Sequence, residues 1–349
     1  MTLKTCFNKR IEKFQSFLKK EKVDGCVIDD PLDLFYLTGL QLSLGRLVVT
    51  QTEATLFVDG RYFQMCEEKA SVTVKKSSPE AIKAMLKRVK TLAFDSAHTS
   101  VEGYEALQAL VSKKLKKMPH PLKKIRAIKD GDELKALKKS AALLWKGFLH
   151  IQKMLKEGLT ETDVAKEFEL YSLKHGASKL AFEPIIAFGG NSAMPHHRAG
   201  STRLKKGDIV LIDIGVVVDL YHSDMTRVIY FGKKNPKLVA MEKVVRQAHR
   251  AALLLCRPGT KVKNLDLAAR EEMKKSGMEE LFVHSLGHGV GLEIHEFPKI
   301  RKEGEDEDVV LETGMAITIE PGLYLPGVGG IRHEDTILIT PKGYVNLYD

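Results

Sequence analysis

The first 120 residues alternate between short apolar runs and longer amphipathic stretches. Four apolar runs have the length and β-branched content of strands: VDGCVIDD, RLVVT, EATLFVD and TLAFDS. Helical periodicity covers residues 4–20, 79–90 and 100–117. The alternation predicts an α/β unit built around a mixed sheet.

The rest of the chain has a different pattern, in which long helices are separated by apolar runs. Capping signals at Asp130, Thr160 and Asn235 predict three helix starts, and a fourth helix is expected to end at Gly277. Strand-like runs lie between and after these helices. This order predicts an α+β fold whose helices cover one face of a curved antiparallel sheet.

Composition places the chain among ordinary globular proteins. It has 349 residues, of which 44% are apolar and 29% charged, enough for two domains. The stretch MPHPLKKIRAIKD is the predicted linker, with domains at residues 1–122 and 123–349. Neither an apolar run of membrane-spanning length nor a secretion signal is present, so we expect no membrane partner. The four cysteines are scattered, which predicts free thiols and a cytoplasmic location.

The net charge of +10 is concentrated in SKKLKKMPHPLKK, residues 112–124. A basic run of this kind can bind nucleic acid, but aromatic residues do not interleave here and no nucleic-acid motif is present. A solvated helix end followed by the linker is the better interpretation. We therefore predict no nucleic-acid partner.

Four carboxylates and one imidazole stand out in the last 137 residues. The carboxylates lie in or beside apolar runs, and the imidazole lies in a glycine-rich segment. They are Asp213, Asp224, His288, Glu320 and Glu334. Burying a neutral polar group without a hydrogen bond costs about 2–7 kcal/mol, and burying an isolated carboxylate costs more. Several acids in one place also repel each other. A pair of divalent cations removes both conflicts. The pattern therefore predicts a two-metal site.

The spacing of the acids is compatible with their convergence. A hairpin turning at Val218-Asp219 would pair Asp213 with Asp224 and direct both carboxylates to one face. Glu320 and Glu334 are symmetric about Gly327, in a loop rich in glycine and proline. The strand-like alternation of side chains around Glu334 is imperfect, so the pairing of Glu320 with Glu334 has the weaker support.

Arg332 precedes Glu334 by two residues and falls on the same face of a strand. Its guanidinium could hold a ligand carboxylate or the substrate. The alternative is an ordinary surface arginine.

Five motifs follow one another in the order FGGNSAMPHH, IDIGVVVDLYHSDMTR, HSLGHGVGLEIHE, ITIEPGLY and GIRHED. Together they resemble the metallopeptidase family with the pita-bread fold, which includes aminopeptidase P, prolidase and methionine aminopeptidase. The similarity covers roughly residues 125–349. The first 120 residues resemble the creatinase/prolidase-type N-terminal domain through DLFYLTG and DGRY. Phe35 stands where that segment usually has an arginine.

The resemblance implies a role for each metal-ligating residue. Asp213 would chelate one metal, Asp224 and Glu334 would bridge both, and His288 with Glu320 would hold the other. A water between the metals would attack the scissile carbonyl. Oxygen-rich ligation with one imidazole suits two Mn²⁺ ions, with Co²⁺ or Zn²⁺ as alternatives.

Further histidines lie in the same motifs. His196 matches the family's histidine near the substrate, and His284 and His295 flank the ligand His288. Imidazoles beside a metal pair can donate to a carbonyl oxygen or carry a proton, so these three and Arg332 are the predicted catalytic residues. Hydrogen-bonded structural histidines are the alternative. His197 and His333 are expected to be structural.

The resemblance implies a homodimer that removes the residue preceding proline from small peptides with proline at the second position. An Xaa-Pro aminopeptidase is the first prediction and an Xaa-Pro dipeptidase (prolidase) the alternative. The catalytic half offers no evident clamp for a dipeptide carboxylate beyond Arg332, which favours longer substrates. A non-catalytic binding module or a metal-free creatinase-like amidinohydrolase would be expected to have lost metal ligands, and all five are present.

Overall fold

The computed structural model describes residues 3–349 and divides into two compact units, Met1–Arg126 and Ala127–Asp349. Mixed helix and strand content agrees with the predicted α+β class. The boundary predicted between residues 122 and 123 stays a prediction. Within the described residues, all helices are too short or too polar to cross a membrane, and none of the four cysteines forms a disulfide.

The first unit is a six-stranded sheet with helices. Its elements are α1 Leu3–Lys20, β1 Gly25–Ile28, α2 Pro31–Thr38, β2 Arg46–Thr50, β3 Ala54–Val58, α3 Gly60–Lys69, β4 Thr73–Lys76, α4 Pro79–Leu86, β5 Leu92–Asp95, α5 Val101–Ala109, β6 Lys116–Met118 and α6 Lys123–Ala127. The strand order is β4-β3-β2-β1-β5-β6. Strands β1 to β3 are antiparallel and the other pairs are parallel, so the mixed sheet is confirmed.

All four predicted strands of this unit are present, but the pattern missed two strands and three helices, of which α6 has only five residues. Helices α2 and α3 are only 8 and 10 residues long, and each begins after an aspartate cap, Asp30 or Asp59. Strands β4 and β6 are short edge strands rich in lysine. The predicted helix end at residues 112–117 is wrong: α5 stops at Ala109, and part of the basic run forms β6 beside β5.

Three helices of the second unit begin directly after their predicted caps, and the fourth ends two residues before Gly277, where its end was expected. They are α7 Gly131–Met154, α8 Glu161–Lys174, α9 Pro236–Leu253 and α10 Val262–Lys275. Asp130 and Thr160 each form a reciprocal capping box with the residue three positions later. Asn235 caps α9, whose first residue is a proline that needs no hydrogen-bond acceptor.

Strands of the second unit form two main antiparallel sheets and two small ones. They are β7 Lys179–Leu180, β8 Ile185–Phe188, β9 Ile209–Ile214, β10 Val216–Val218, β11 Tyr221–His222, β12 Met225–Tyr230, β13 Gly287–Gly289, β14 Glu296–Ile300, β15 Ala316–Ile319, β16 Gly322–Leu325, β17 Gly329–Arg332, β18 Asp335–Thr340 and β19 Gly343–Asn346. The main sheets have the orders β12-β9-β8 and β14-β13-β15-β18-β19. Short 3₁₀ helices cover Gly189–Ala193 and Glu279–Leu281.

Each main sheet packs against its own pair of helices. Residues of α7 and α8, including Phe148 and Phe168, form one core with β8 and β9. Residues of α9 and α10, including Met241 and Leu265, form a second core with β15 and β18. Burial of each large apolar side chain contributes about 1.5–3 kcal/mol, and these cores hold the site-bearing strands in place.

The two hairpins that carry the acids differ in how well their registers were predicted. Asp213 pairs with Thr226 rather than Asp224, because the turn lies at Asp219 and Leu220, both with positive φ. The predicted 213/224 pairing is therefore wrong by two residues. A shift of two preserves the face on which a side chain lies, so both aspartates still point the same way.

The second hairpin has the predicted symmetry about Gly327. Gly322 pairs with Arg332 in β16 and β17, and Ile319 pairs with Asp335 in β15 and β18. Both ladders place Glu320 opposite Glu334, at the break between them. This pairing, which had the weaker support from the sequence, is the one that the structure confirms.

Candidate active site

The five predicted metal-ligating residues come from five different places in the second unit and lie beside one another. Asp213 is near the end of β9, Asp224 precedes β12, His288 is the centre of β13, Glu320 follows β15 and Glu334 precedes β18. Four of the five are buried, with exposed fractions between 2% for Glu334 and 7% for Asp213 and His288. The side chain of Glu320 is 16% exposed.

The imidazole of His288 faces two of the acids. Its Nε2 lies 3.6 Å from Oδ2 of Asp224 and 3.5 Å from Oε1 of Glu320. Ligand atoms of Asp224, His288 and Glu334 all lie within 4.8 Å of one another. Nδ1 of His288 donates to the carbonyl of Gly289 at 2.9 Å, which leaves the Nε2 lone pair directed at the acids. These distances are long for hydrogen bonds and suit atoms that share a cation.

The electrostatics of the cluster favour added positive charge. Burial and then the neighbouring carboxylates raise the pKa of Asp224 and of Glu320 well above the usual range. Burial, followed by the charge of Asp213, raises the pKa of Glu334 to about 8. Burial lowers the pKa of His288 to about 3, so its imidazole is neutral and able to bind a metal.

An unsatisfied carboxylate oxygen provides an independent test of metal fit. Oδ1 of Asp213 is buried and has no hydrogen-bond partner, whereas Oδ2 accepts a hydrogen bond from Nη2 of Arg332. A buried carboxylate oxygen without a partner is costly. The donor set of four carboxylates and one imidazole fits divalent cations, which would satisfy this oxygen.

Arg332 is the centre of a buried network rather than a surface arginine. Its guanidinium donates to Asp213, to the hydroxyl of Tyr324 at 2.6 Å and, through Nε, to Oγ1 of Thr226 at 3.1 Å. Thr226 in turn donates to Oε2 of Glu334 at 2.6 Å. One arginine and one hydroxyl therefore orient two of the carboxylates predicted to bind metal.

The backbone of Asp224 is held by the C-terminal segment. The hydroxyl of Tyr348 accepts from the amide of Asp224 and donates to its carbonyl at 2.6 Å, and Thr336 donates to the same carbonyl at 3.0 Å. Sequence reasoning missed Tyr348, Tyr324 and Thr226. They are single hydroxyl residues without spacing that would distinguish them from core residues.

The predicted catalytic histidines differ in their surroundings. His295 is exposed, and its ring packs edge-on against His288 with centroids 4.4 Å apart. His284 uses both ring nitrogens within the protein: Nδ1 donates to the carbonyl of Ser285 at 2.8 Å, and Nε2 accepts from Tyr324 at 2.9 Å. Burial lowers the pKa of both imidazoles, to about 4 for His284.

His196 is exposed in the segment between β8 and β9, and Glu161 organises that segment. The neighbouring His197 donates from Nε2 to Oε2 of Glu161 at 2.8 Å, as a structural histidine would. Glu161 is fully buried in the first turn of α8. The carboxylate of Glu161 also accepts hydrogen bonds from the backbone amides of Phe188 and Gly200 and from the side chain of Asn191.

Two further residues singled out in the sequence have surroundings of their own. Phe35 is in α2, where its ring stands edge-on to Phe7 with centroids 6.5 Å apart. His333 does not face the acids, although it precedes Glu334. Its Nε2 lies 3.6 Å from Oδ2 of Asp335.

Comparison with known families identifies both halves of the chain. Residues 135–341 match the model of metallopeptidase family M24, and residues 10–128 match the creatinase/prolidase N-terminal domain. The chain belongs to metallopeptidase family M24. It is therefore a hydrolase of the peptidase class with a two-domain, pita-bread architecture, and the family implies divalent metal ions.

Relatives of this M24 peptidase share its full length. It is 37% identical to the Xaa-Pro dipeptidase of Pyrococcus furiosus over 96% of both chains. It superposes on the structure of an Xaa-Pro dipeptidase from Bacillus anthracis with a TM-score of 0.93 and 29% identity, covering 98% of both chains. An X-Pro aminopeptidase from Thermotoga maritima gives a TM-score of 0.87 at 27% identity, covering 96% of this chain and 97% of that one. These similarities favour the dipeptidase alternative over the aminopeptidase P that was predicted first.

Proposed function

We propose that this M24 peptidase is an Xaa-Pro dipeptidase that uses two divalent cations, with Mn²⁺ as the native metal. Relatives with that name, matched over nearly the whole chain, support the choice. The sequence favoured longer peptides because no group was evident that could bind the free carboxylate of a dipeptide. Lys299 supplies such a group, and it is the observation that carries the proposal.

Lys299 lies in β14 directly opposite His288 in β13. Directly opposed residues of an antiparallel pair point to the same face, about 4.5–5.5 Å apart at Cβ. Lys299 is exposed, and its charge acts on both His288 and His295. An ammonium beside the metal-ligating residues can pair with the carboxylate one residue beyond the scissile bond.

The residues of the metal cluster divide into ligands and the groups that orient them. We assign Asp213, Asp224, His288, Glu320 and Glu334 as ligands. Two cations held there would polarise the scissile carbonyl and lower the pKa of the attacking water. Either Glu320 or Glu334 could accept the proton from the attacking water. Glu320 is the more exposed of the two, at 16% for its side chain against 2% for the whole residue of Glu334. We therefore assign proton acceptance to Glu320.

His295 and His196 are the histidines that remain available to substrate, because both are exposed. Burial lowers the pKa of His295, so its neutral ring can donate a hydrogen bond to the oxygen that gains charge or carry a proton to the leaving nitrogen. His284 has a different role in this proposal. Through Tyr324 it positions Arg332, which orients Asp213.

Proline selection must depend on shape. A prolyl nitrogen carries no N–H once it is in a peptide bond, so the site has no donor there to recognise. Replacement of that proline by alanine should lower kcat/KM sharply. The homodimeric state, the cytoplasmic location and domains at residues 1–122 and 123–349 complete the proposal.

The test compares three substrates: Ala-Pro, its amide Ala-Pro-NH₂ and Ala-Pro-Ala, each with Mn²⁺. Ala-Pro should be cleaved fastest. Lys299→Gln should lower kcat/KM for Ala-Pro by about 10-fold, the lower end expected for a charge-assisted hydrogen bond of 1.5–3 kcal/mol at an exposed site. The same variant should change cleavage of the amide little. Lys302→Gln, an exposed lysine three residues later, is the matched control.

Two outcomes would redirect the proposal. Faster cleavage of Ala-Pro-Ala, unaffected by Lys299→Gln, would return the assignment to an Xaa-Pro aminopeptidase. Efficient cleavage of Met-Ala-Ser with no preference for proline would reject both activities.

A further inference from the structure

A second group of side chains that can ligate a metal lies on the other side of the segment that carries Glu334, between β17 and β18. His333 and Asp335 flank Glu334, and successive residues of an extended chain point to opposite faces. They face His249, which α9 contributes from the adjacent layer. His249 is 5% exposed and Asp335 3%, while the side chain of His333 is 16% exposed.

The distances within this group suit a shared ion better than direct hydrogen bonds. Oδ2 of Asp335 lies 3.4 Å from Nε2 of His249 and 3.6 Å from Nε2 of His333. All three ligand atoms lie within 4.8 Å of one another. Ligands about 2.0–2.1 Å from a tetrahedral Zn²⁺ are separated by about 3.3–3.4 Å, the edge of the tetrahedron.

One atom of the group is left without a partner. Nε2 of His249 is buried and has no hydrogen-bond partner, although its residue is almost wholly enclosed. Buried polar atoms in native proteins are nearly always satisfied, so this nitrogen indicates a missing ligand. Arg227 donates to Oδ1 of Asp335 at 2.6 Å, which neutralises the carboxylate in part but leaves Oδ2 directed at the two imidazoles.

We propose that His249, His333 and Asp335 form a third divalent-cation site, separate from the catalytic cluster and selective for Zn²⁺. Two imidazoles and one carboxylate are a Zn²⁺ donor set, in contrast to the carboxylate-rich catalytic cluster. Partial exposure of His333 allows a water to complete the tetrahedron.

Such an ion would stiffen the segment between β17 and β18, which carries the proposed metal ligand Glu334. Arg227 donates both to Asp335 and to the backbone carbonyl of Glu334 at 2.6 Å. A cation on Oδ2 of Asp335 would therefore fix the backbone on either side of Glu334 from the face opposite the active site. The site is structural in this account and takes no part in peptide hydrolysis.

The test uses the full-length protein, stripped of metal and reloaded with Zn²⁺ alone. Elemental analysis should find three Zn²⁺ per chain in the wild type and two in His249→Gln. Anomalous scattering at the zinc edge from Zn²⁺-grown crystals should place one ion within bonding distance of His249 Nε2. His175→Gln, an exposed histidine at the end of α8, is the matched control and should keep three ions.

Two Zn²⁺ ions in the wild type, or three in both the wild type and His249→Gln, would overturn the proposal. The first result would mean that the three side chains form a polar cluster without metal. If His249→Gln does not fold, as judged by circular dichroism, His333→Asn replaces it with the same expected loss of one ion. Failure of the proposed peptidase activity would leave the zinc count unchanged, so the two proposals can be distinguished.

Discussion

Thr226 donates a short hydrogen bond to Glu334, one of the proposed metal ligands, and Thr226→Val removes it with little change in volume. Its hydroxyl donates to Glu334 at 2.6 Å and accepts from Nε of Arg332 at 3.1 Å. Thr226 is fully buried, so no water can replace the hydroxyl. The variant leaves a carboxylate oxygen and a guanidinium N–H without their partner.

The expected magnitude follows from the two bonds that are lost. A buried hydrogen bond to a charged group contributes about 1.5–3 kcal/mol, and loss of a group that orients a metal ligand costs about 10–100-fold in affinity or activity. We expect Thr226→Val to weaken Mn²⁺ binding by about 10–100-fold and to lower kcat/KM at limiting Mn²⁺ by a similar factor. At saturating Mn²⁺ part of the activity should return.

Isothermal titration of the metal-free protein with Mn²⁺ measures the effect directly, with Ala-Pro hydrolysis as the second readout. Thr55→Val is the matched control, because Thr55 is equally a buried strand threonine, 4% exposed, in the other unit. Unchanged Mn²⁺ affinity and activity in Thr226→Val would refute the idea that this hydroxyl orients Glu334.

Two further predictions concern the proposed catalytic residue His295 and the charge of the cluster. His295→Ala should retain its metal content but lose about 10²–10⁴-fold in kcat, the usual contribution of a positioned proton-transfer group, whereas His175→Ala should be nearly unchanged; equal losses would show that His295 has no special role. The metal-free protein should lose stability as pH rises from about 4.5 to 8, because the folded state raises the pKa of Glu334 from its usual 4.5 to about 8 and so binds the extra proton. Saturating Mn²⁺ should remove that loss in a comparison of melting temperatures across this range, and a metal-free protein that becomes more stable over the same range would contradict the reasoning.

The sequence predicted the helices of the second unit well because their caps are local signals. Capping boxes at Asp130 and Thr160 depend on residues three positions apart, so no tertiary information is needed. Short elements such as α2 and β6 have too few residues for a periodic pattern. Their positions depend on packing against the rest of the sheet.

Hairpin register was predictable only in part. The glycines around Gly327 allowed one turn to be placed correctly from the sequence. The other turn uses Asp219 and Leu220 at positive φ, and a leucine gives no sequence signal for such a turn. The predicted pairing of Asp213 with Asp224 failed by two residues, yet their shared face survived because the pleat repeats every two residues. Convergence of the acids was therefore more predictable than their exact partners.

Residues that orient the cluster were the least predictable part of the site. Arg332 was singled out by its spacing from Glu334, but its hydrogen bond to Thr226 is made across sheets and its hydrogen bond to Tyr324 depends on the pairing of β16 with β17. Lys299 was missed as a candidate carboxylate clamp. Its position opposite His288 depends on the pairing of β13 with β14, which includes a register shift between His288 and Gly289.

The central claim is that Asp213, Asp224, His288, Glu320 and Glu334 hold the two cations on which peptide hydrolysis depends. Titration of metal-free protein with Mn²⁺ while Ala-Pro hydrolysis is followed tests it most directly. The account predicts no activity without metal, a rise that is complete at two equivalents, and almost complete loss in Asp224→Asn at the same Mn²⁺. Full activity in the metal-free protein, or an Asp224→Asn variant as active as the wild type, would contradict it.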